Sequence, residues 1–238
     1  MLKCVFFDLD GTLLPLDQDV FIAAYFADLR KYIGSHGFSE EEFFATFYKA
    51  VISMVENNGE ATNEDAFWSV MESEIPDARE RLIPILDDFY HNEFDKIIAV
   101  TRPSSMAREL VDFCHSLGLD TLLATSPIFP RIATEKRMAW VGLRPEDFLA
   151  VTTYEDSMYT KPHPKYYLGL CEAFGLKPEE CLMVGNDAFD DLGAAEIGMP
   201  VFLLMNDFLN RKEVDVTGVP KGDEDDLKRF ITDNLAKK

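Results

Sequence analysis

The sequence predicts an α/β protein: a parallel five-stranded sheet covered by helices on both faces, with an all-helical segment inserted after the first strand. Three observations predict it. Short apolar runs bounded by charge, Gly or Pro recur at residues 2–7, 121–125, 148–152, 181–185 and 200–204. Helical patterns separate the later runs, which is the alternation that builds a parallel sheet buried on both sides. Residues 16–95, by contrast, carry helical spacing alone, so they read as an insertion that leaves 1–15 and 96–238 as the core.

The elements follow in order. Asp8 ends the first apolar run abruptly. Asp17 or Asp19 starts the next helix and Gly34 stops it. Ser39-Glu40-Glu41-Glu42 is a capping box, in which Ser39 satisfies an orphan amide and Glu42 reaches back. Phe43, Phe44, Phe47, Ala50, Val51 and Met54 then repeat at helical spacing until Gly59, and their spacing assigns these aromatics to a core. Thr62 and Asp65 open a helix carrying Phe67, Trp68 and Met71. Ser104 or Ser105 caps a helix with Leu110, Val111, Cys114 and Leu117 that stops at Gly118. A helix after Pro130 ends near Gly142, one opened by Pro164 ends at Gly175, and a last one ends at Gly198. Beyond about residue 207 the mixed charge of Asp223-Glu224-Asp225-Asp226 and Lys228-Arg229 reads as a surface helix and a loose tail.

Composition narrows the function. The 238 residues, 47% of them hydrophobic, suffice for one or two domains with a sizeable core. A net charge of −20 excludes nucleic acid and anionic membranes as partners of the bulk surface. The same charge repels a phosphorylated substrate unless a cation or a lysine reverses the field locally. No apolar run nears the roughly 20 residues that span a bilayer, and the N-terminal run is too short for a signal peptide, so a cytoplasmic location is expected. The cysteines, at positions 4, 114, 171 and 181, form no CxxC pair, so reduced, buried thiols are expected and a zinc site is not. His36, His91, His115 and His163 show no metal-ligand spacing, and the cap cations Arg30, Lys31 and Lys49 read as a solvated face.

In an open parallel sheet, ligands bind beyond the carboxyl ends of the strands. Asp8-Leu9-Asp10-Gly11-Thr12 follows the first strand. Thr125-Ser126 follows the second, Lys161-Pro162 lies beyond the third, and Gly185-Asn186-Asp187 follows the fourth, with Asp191 four residues on. Carboxylates from two strand ends suit Mg²⁺, a hard cation that takes oxygen ligands and phosphate company. Side chains two apart in an extended segment point to opposite sides, but a turn begun at Gly11 brings Asp8 and Asp10 to one ligand. One carboxylate can then attack phosphorus while the other handles the proton. A lysine supplies positive charge and a hydroxyl donates to a phosphoryl oxygen.

These four motifs, in this order, resemble those of the haloacid-dehalogenase superfamily over about residues 2–205. Asp8-Leu9-Asp10-Gly11-Thr12 is similar to its first motif, and Thr125 after Leu122-Leu123-Ala124 to its second. Lys161 in Lys161-Pro162-His163-Pro164 is similar to its third, and Asp187-Ala188-Phe189-Asp190-Asp191 to its acidic fourth. The resemblance implies a Rossmann-like core with an inserted helical cap of the C1 type, and a Mg²⁺-dependent phosphatase acting on a small phosphorylated metabolite. It implies that Asp8 is a nucleophile forming an aspartyl-phosphate and that Asp10 is the acid and base. Asp8, the Asp10 carbonyl and Asp187 would hold the metal with support from Asp191, while Thr125, Lys161 and the amides of Leu9, Asp10 and Ser126 would receive the phosphoryl oxygens. Ser126 reads equally as a cap.

The sequence departs from the usual pattern at one place: Asn186 stands between Gly185 and the first acid of the fourth motif. Adjacent Asp190 and Asp191 compete for its second acid, and Asp191 keeps the usual distance to Ala194-Ala195. A phosphomutase shares the first chemical steps, and a non-catalytic binding protein shares the fold. A dehalogenase is disfavoured by Asp10, because a carbon–halogen bond needs no leaving-group acid.

Overall fold

A computed structural model describes residues 1–236. The chain starts with β1 (Cys4–Phe7) and then enters a helical insertion of α1 (Gln18–Ser35), α2 (Glu40–Val55), α3 (Asn63–Glu74) and α4 (Ala78–Asn92), closed by a 3₁₀ stretch at Phe94–Val100. Three of the helices begin where the sequence places caps. The Asp17 carboxylate accepts from the amides of Asp19 and Val20 at 3.0 and 3.1 Å, Ser39 from Glu42 at 3.3 Å, and Thr62 from Asp65 at 3.1 Å. The chain enters and leaves the insertion side by side, with Leu16 bridging Thr101 and the Arg102 amide donating to Pro15 O at 2.8 Å.

The remaining elements are α5 (Met106–Ser116), β2 (Asp120–Leu123), α6 (Arg131–Trp140), α7 (Pro164–Ala173), β3 (Cys181–Gly185), β4 (Val201–Leu204), β5 (Lys221–Gly222) and α8 (Glu224–Ala236). The five strands form one parallel sheet in the order β2-β1-β3-β4-β5. Every residue of β1, β3 and β4 is buried, which is why these strands read as continuous apolar runs. Their side chains alternate between faces. Val5, Phe7, Leu123 and Val184 join α5, α6, α8 and the insertion in one core, whereas Cys4, Phe6, Leu122 and Met183 pack against α7 and the 3₁₀ stretch Asp191–Ile197 in the other. All four cysteines are free and buried, as expected. No helix among the described residues is long and apolar enough to cross a membrane.

Four sequence expectations need correction. Residues 148–152 run parallel to the edge of β2, but only Val151 bridges to it, at Leu123. Backbone bonds still join the two, from Leu149 N to Thr121 O, Leu123 N to Ala150 O and Thr152 N to Leu123 O (2.8, 2.9 and 3.1 Å). The Thr152 hydroxyl adds contacts to the carbonyls of Leu123 and Thr125 (3.2 and 2.7 Å), so the segment meets β2 as an isolated bridge and not as a strand. The fifth strand is instead β5, in the segment expected to be a loose tail. It accepts backbone bonds from Met205 to Gly222 O and, just before it, from Leu203 to Pro220 O, at 3.0 and 2.9 Å. Nor is α8 merely a surface helix, because Leu227 and Ile231 are fully buried in the core. In addition, the segment that ends at Gly198 is 3₁₀ and not α.

The insertion is tied to the core through the start of α3. Buried Asn63 donates its amide to Ser157 O at 2.7 Å and its Nδ2 to Pro127 O at 3.0 Å, and the Glu64 amide donates to Tyr154 O at 2.9 Å.

Because the C-terminal helix completes the core, Leu227→Ala is expected to lower unfolding free energy by about 2–5 kcal/mol in urea titration, the cost of an unfilled Leu-sized cavity.

Candidate active site

The carboxyl ends of β1, β2 and β3 open at one edge of the sheet, where Asp8, Asp10, Thr125, Ser126, Lys161, Asp187, Asp190 and Asp191 line a single small cleft. All the residues singled out in the sequence are therefore brought together. Asp8 sits one step past β1, its amide still donating to Val184 O at 2.9 Å. The chain then turns, with Thr12 and Leu14 amides both donating to Leu9 O, at 3.1 and 2.8 Å. Gly11 makes the turn at φ +79°, where a Cβ would lie 2.2 Å from Asn186 Nδ2, so both backbone conformation and space demand glycine.

Lys161 is the hub. Its side chain is buried and donates to Asp8 Oδ1 at 2.8 Å and to Asp191 Oδ1 at 2.7 Å. Burial would lower its pKa, but the carboxylates of Asp191 and Asp8 outweigh that and hold it well above the ordinary lysine value. Asp191 uses its other oxygen to accept the Asp187 amide at 2.9 Å. It sits so close to the end of β3 that a Cβ on Gly185 would lie 1.9 Å from Oδ2. Burial pushes Asp191 up to about 6 against the pull of Lys161. Asp187 accepts the amides of Phe189 and Asp190 on Oδ1, at 2.8 and 3.1 Å. Burial, opposed by Lys161 and reinforced by the neighbouring acids, raises Asp190 to about 7.

The fourth-motif departure has a structural account. Asn186 Oδ1 accepts from the Thr12 hydroxyl at 3.0 Å, and its Nδ2 donates to Asp207 O at 2.7 Å, joining the first loop to the segment after β4. The Thr12 hydroxyl also lies 3.3 Å from Asp8 Oδ2. On the other side of the cleft, Tyr166 and Thr152 hydroxyls donate to Thr125 O at 2.8 and 2.7 Å, holding the segment that presents Thr125 and Ser126. The nearest histidine in sequence, His163, caps α7 by accepting the Lys165 amide at 3.1 Å.

One residue escaped the sequence reading. Arg137, on α6, is completely buried and forms an ion pair with Asp10 Oδ2. Its guanidinium also donates to Ala133 O at 3.1 Å and Thr134 Oγ1 at 3.2 Å, and packs 4.3 Å from the Phe129 ring centroid. Burial raises the Asp10 pKa, with Arg137 opposing, while Asp10 Oδ1 is sealed from solvent without a hydrogen-bond partner. The signal was an arginine four residues after Ala133 on the buried stripe of its helix, where a charge must find a buried partner.

The donor set is all oxygen. Five carboxylates line the cleft with one lysine, an excess of negative charge that a hard divalent ion such as Mg²⁺ offsets. Among the described residues no three His, Cys, Asp or Glu side chains converge as a ready-made cage. Mg²⁺ commonly takes only one or two carboxylates together with waters, so the residues present fit it.

A family model for haloacid dehalogenase-like hydrolases matches residues 2–198. Pyrophosphatase PpaX of Bacillus cereus is 25% identical over 198 residues, covering 83% of this chain and 80% of that protein. Among solved structures, a predicted phosphoglycolate phosphatase from Haemophilus somnus superposes with a TM-score of 0.61 at 18% identity, over 97% of this chain and 98% of the other. The L-2-haloacid dehalogenase of Xanthobacter autotrophicus does so with a TM-score of 0.56 at 19% identity, over 98% and 99%.

Removing the hub cation leaves two buried carboxylates facing each other. Lys161→Met is expected to cost about 3–5 kcal/mol of stability at neutral pH in denaturant titration of the metal-free protein. A surface-like loss below about 1 kcal/mol would mean that the pair is solvated.

Proposed function

This chain belongs to the haloacid dehalogenase-like hydrolases, and we propose that it is a phosphatase that removes the phosphoryl group of a small phosphomonoester through an aspartyl-phosphate on Asp8. The observation that carries this reading is the pairing of Asp8 with buried Lys161 beside Asp10, a second acid in a different environment. Two neighbouring carboxyls pushed apart in character suit a nucleophile and an acid. Asp8, ion-paired with Lys161, attacks phosphorus. Asp10, whose pKa burial raises, gives its proton to the leaving oxygen and then takes one from the water that hydrolyses the intermediate.

Lys161, Thr125, Ser126 and the amides of the 9–12 turn receive the phosphoryl oxygens as charge develops. Asp8, the Asp10 carbonyl and Asp187 would hold Mg²⁺, which when bound offsets phosphoryl charge. Both Asp191 oxygens are engaged by Lys161 and the Asp187 amide, so Asp191 supports that set by holding its members and not as a direct ligand. Asp190 faces the same cleft and is the alternative acid. The segment 16–95 acts as a cap that shields the cleft from bulk water and selects the ester.

Phosphate release from phenyl phosphate is expected to require Mg²⁺ and to stop with EDTA. Asp8→Asn is expected to lower kcat by about a thousandfold or more, as for loss of a covalent nucleophile. Wild-type turnover by Asp8→Asn would remove Asp8 from the mechanism.

A further inference from the structure

A second, much larger cavity of about 690 Å³ adjoins the acidic cleft, and Ile22, Ile128 and Phe129 form walls of both. It lies between the helical insertion and the segments after β2. Phe67, Trp68, Phe129 and Tyr154 supply aromatic surface, with Tyr25 and Tyr90 hydrogen-bonded to each other through their hydroxyls at 2.7 Å. Such a volume and lining suit a drug-sized apolar body. Inorganic pyrophosphate and phosphoglycolate are small and wholly polar, and would leave these walls uncovered.

The polar groups of this cavity are mostly acidic. Glu64, Asp87, Glu135 and Glu155 line it. The two possible counter-charges are already engaged: the Arg131 guanidinium pairs with Asp156 and lies 3.8 Å from Glu135, and His91 Nδ1 is bonded to Asp87 O at 2.8 Å. Glu155 accepts the Arg131 amide on Oε1 at 2.8 Å, but its Oε2 is buried with no hydrogen-bond partner. A buried carboxylate oxygen without a donor is costly. The Glu64 amide bond to Tyr154 O puts Glu64 beside the same segment, and burial together with the Glu155 charge raises the Glu64 pKa. An aromatic enclosure lined by acids, one of them with a carboxylate oxygen that lacks a donor, is the chemistry that binds a cationic nitrogen.

We propose that the substrate is a phosphomonoester whose apolar or aromatic body fills this cavity and whose far end carries an ammonium or other cationic nitrogen that meets Glu155 and Glu64. The proposal rests on the phosphatase reading for the phosphoryl end, while the cavity itself is independent of it. An ester ending in a carboxylate or a second phosphate is repelled, so the specificity departs from that named for pyrophosphatase PpaX.

The test compares kcat/KM, with Mg²⁺, for aryl phosphates differing only at the para position: 2-aminoethyl, propyl and 2-carboxyethyl, with pyrophosphate alongside. The ammonium ester is expected to exceed the neutral one by about tenfold and the carboxylate one by about a hundredfold. Glu155→Gln keeps the shape and the bond to the Arg131 amide but removes the charge, and is expected to cut the ammonium-to-neutral ratio by about tenfold. Glu64→Gln is expected to act in the same direction. Tyramine, the dephosphorylated ammonium product, is titrated into the metal-free protein by Trp68 fluorescence and calorimetry, and Glu155→Gln is expected to weaken it by about tenfold. Equal rates for the three esters, a preference for the carboxylate ester, or faster pyrophosphate hydrolysis would overturn the proposal. Absence of turnover with tyramine still bound, and weakened by Glu155→Gln, would instead reject the phosphatase reading and leave the cationic subsite standing. Absence of both would reject the subsite too.

Discussion

One buried lysine organises the cleft. Lys161 reaches Asp8 beyond β1 and Asp191 beyond β3, and through Asp191 it governs the backbone of Asp187. Buried ion pairs are weak sources of net stability but are costly to break, because a lone partner cannot stay charged in a low dielectric. The arrangement thus has a strong preference for all three members or none. In a chain of net charge −20, it also places a fixed positive charge inside an acidic cleft. The glycines at 11 and 185 answer to the same arrangement: each leaves room for a polar side chain that a Cβ would displace.

A second buried cation complements the first. Arg137 takes Asp10 as Lys161 takes Asp8, so two aspartates separated by one residue face different partners. Asp8 is bound by a lysine that also serves Asp191, whereas Asp10 is bound by a guanidinium held by α6 and stacked on Phe129. Phe129 lies at the boundary between the acidic cleft and the large cavity, with Arg137 packed on its ring. The guanidinium that positions Asp10 is therefore one ring away from the large cavity, so the cavity wall and the placement of Asp10 share Phe129.

Much of this was legible in the sequence. The strands that carry Asp8, Thr125 and Asp187 are buried on both faces, so they announce themselves as apolar runs, and the polar residues at their ends stand out by contrast. The helix starts at Asp17, Ser39 and Thr62 were readable because caps are local chemistry. What escaped depends on tertiary partners. β5 is only Lys221–Gly222, with no apolar pattern, and forms because β4 offers an open edge. Residues 148–152 have a strand's composition and bond to β2 through the backbone, but the pairing stops at one bridge, Val151 to Leu123. Arg137 looks like an ordinary helical arginine until the fold supplies Asp10. The large cavity arises from faces of the insertion and of the loops after β2 that no single segment reveals.

The mechanism proposed for Asp8 passes the phosphoryl group through a covalent bond to its carboxylate. Its most direct measurement is borohydride trapping: the enzyme is quenched during turnover of phenyl phosphate with Mg²⁺, reduced, digested and analysed by mass spectrometry. An acyl phosphate is reduced to an alcohol, so the account predicts that the Asp8 side chain alone becomes that of homoserine, in turnover samples and not in substrate-free controls. Phosphate release with Asp8 unreduced under conditions that trap an acyl phosphate, or reduction at Asp10, Asp187 or Asp190 instead, would contradict it.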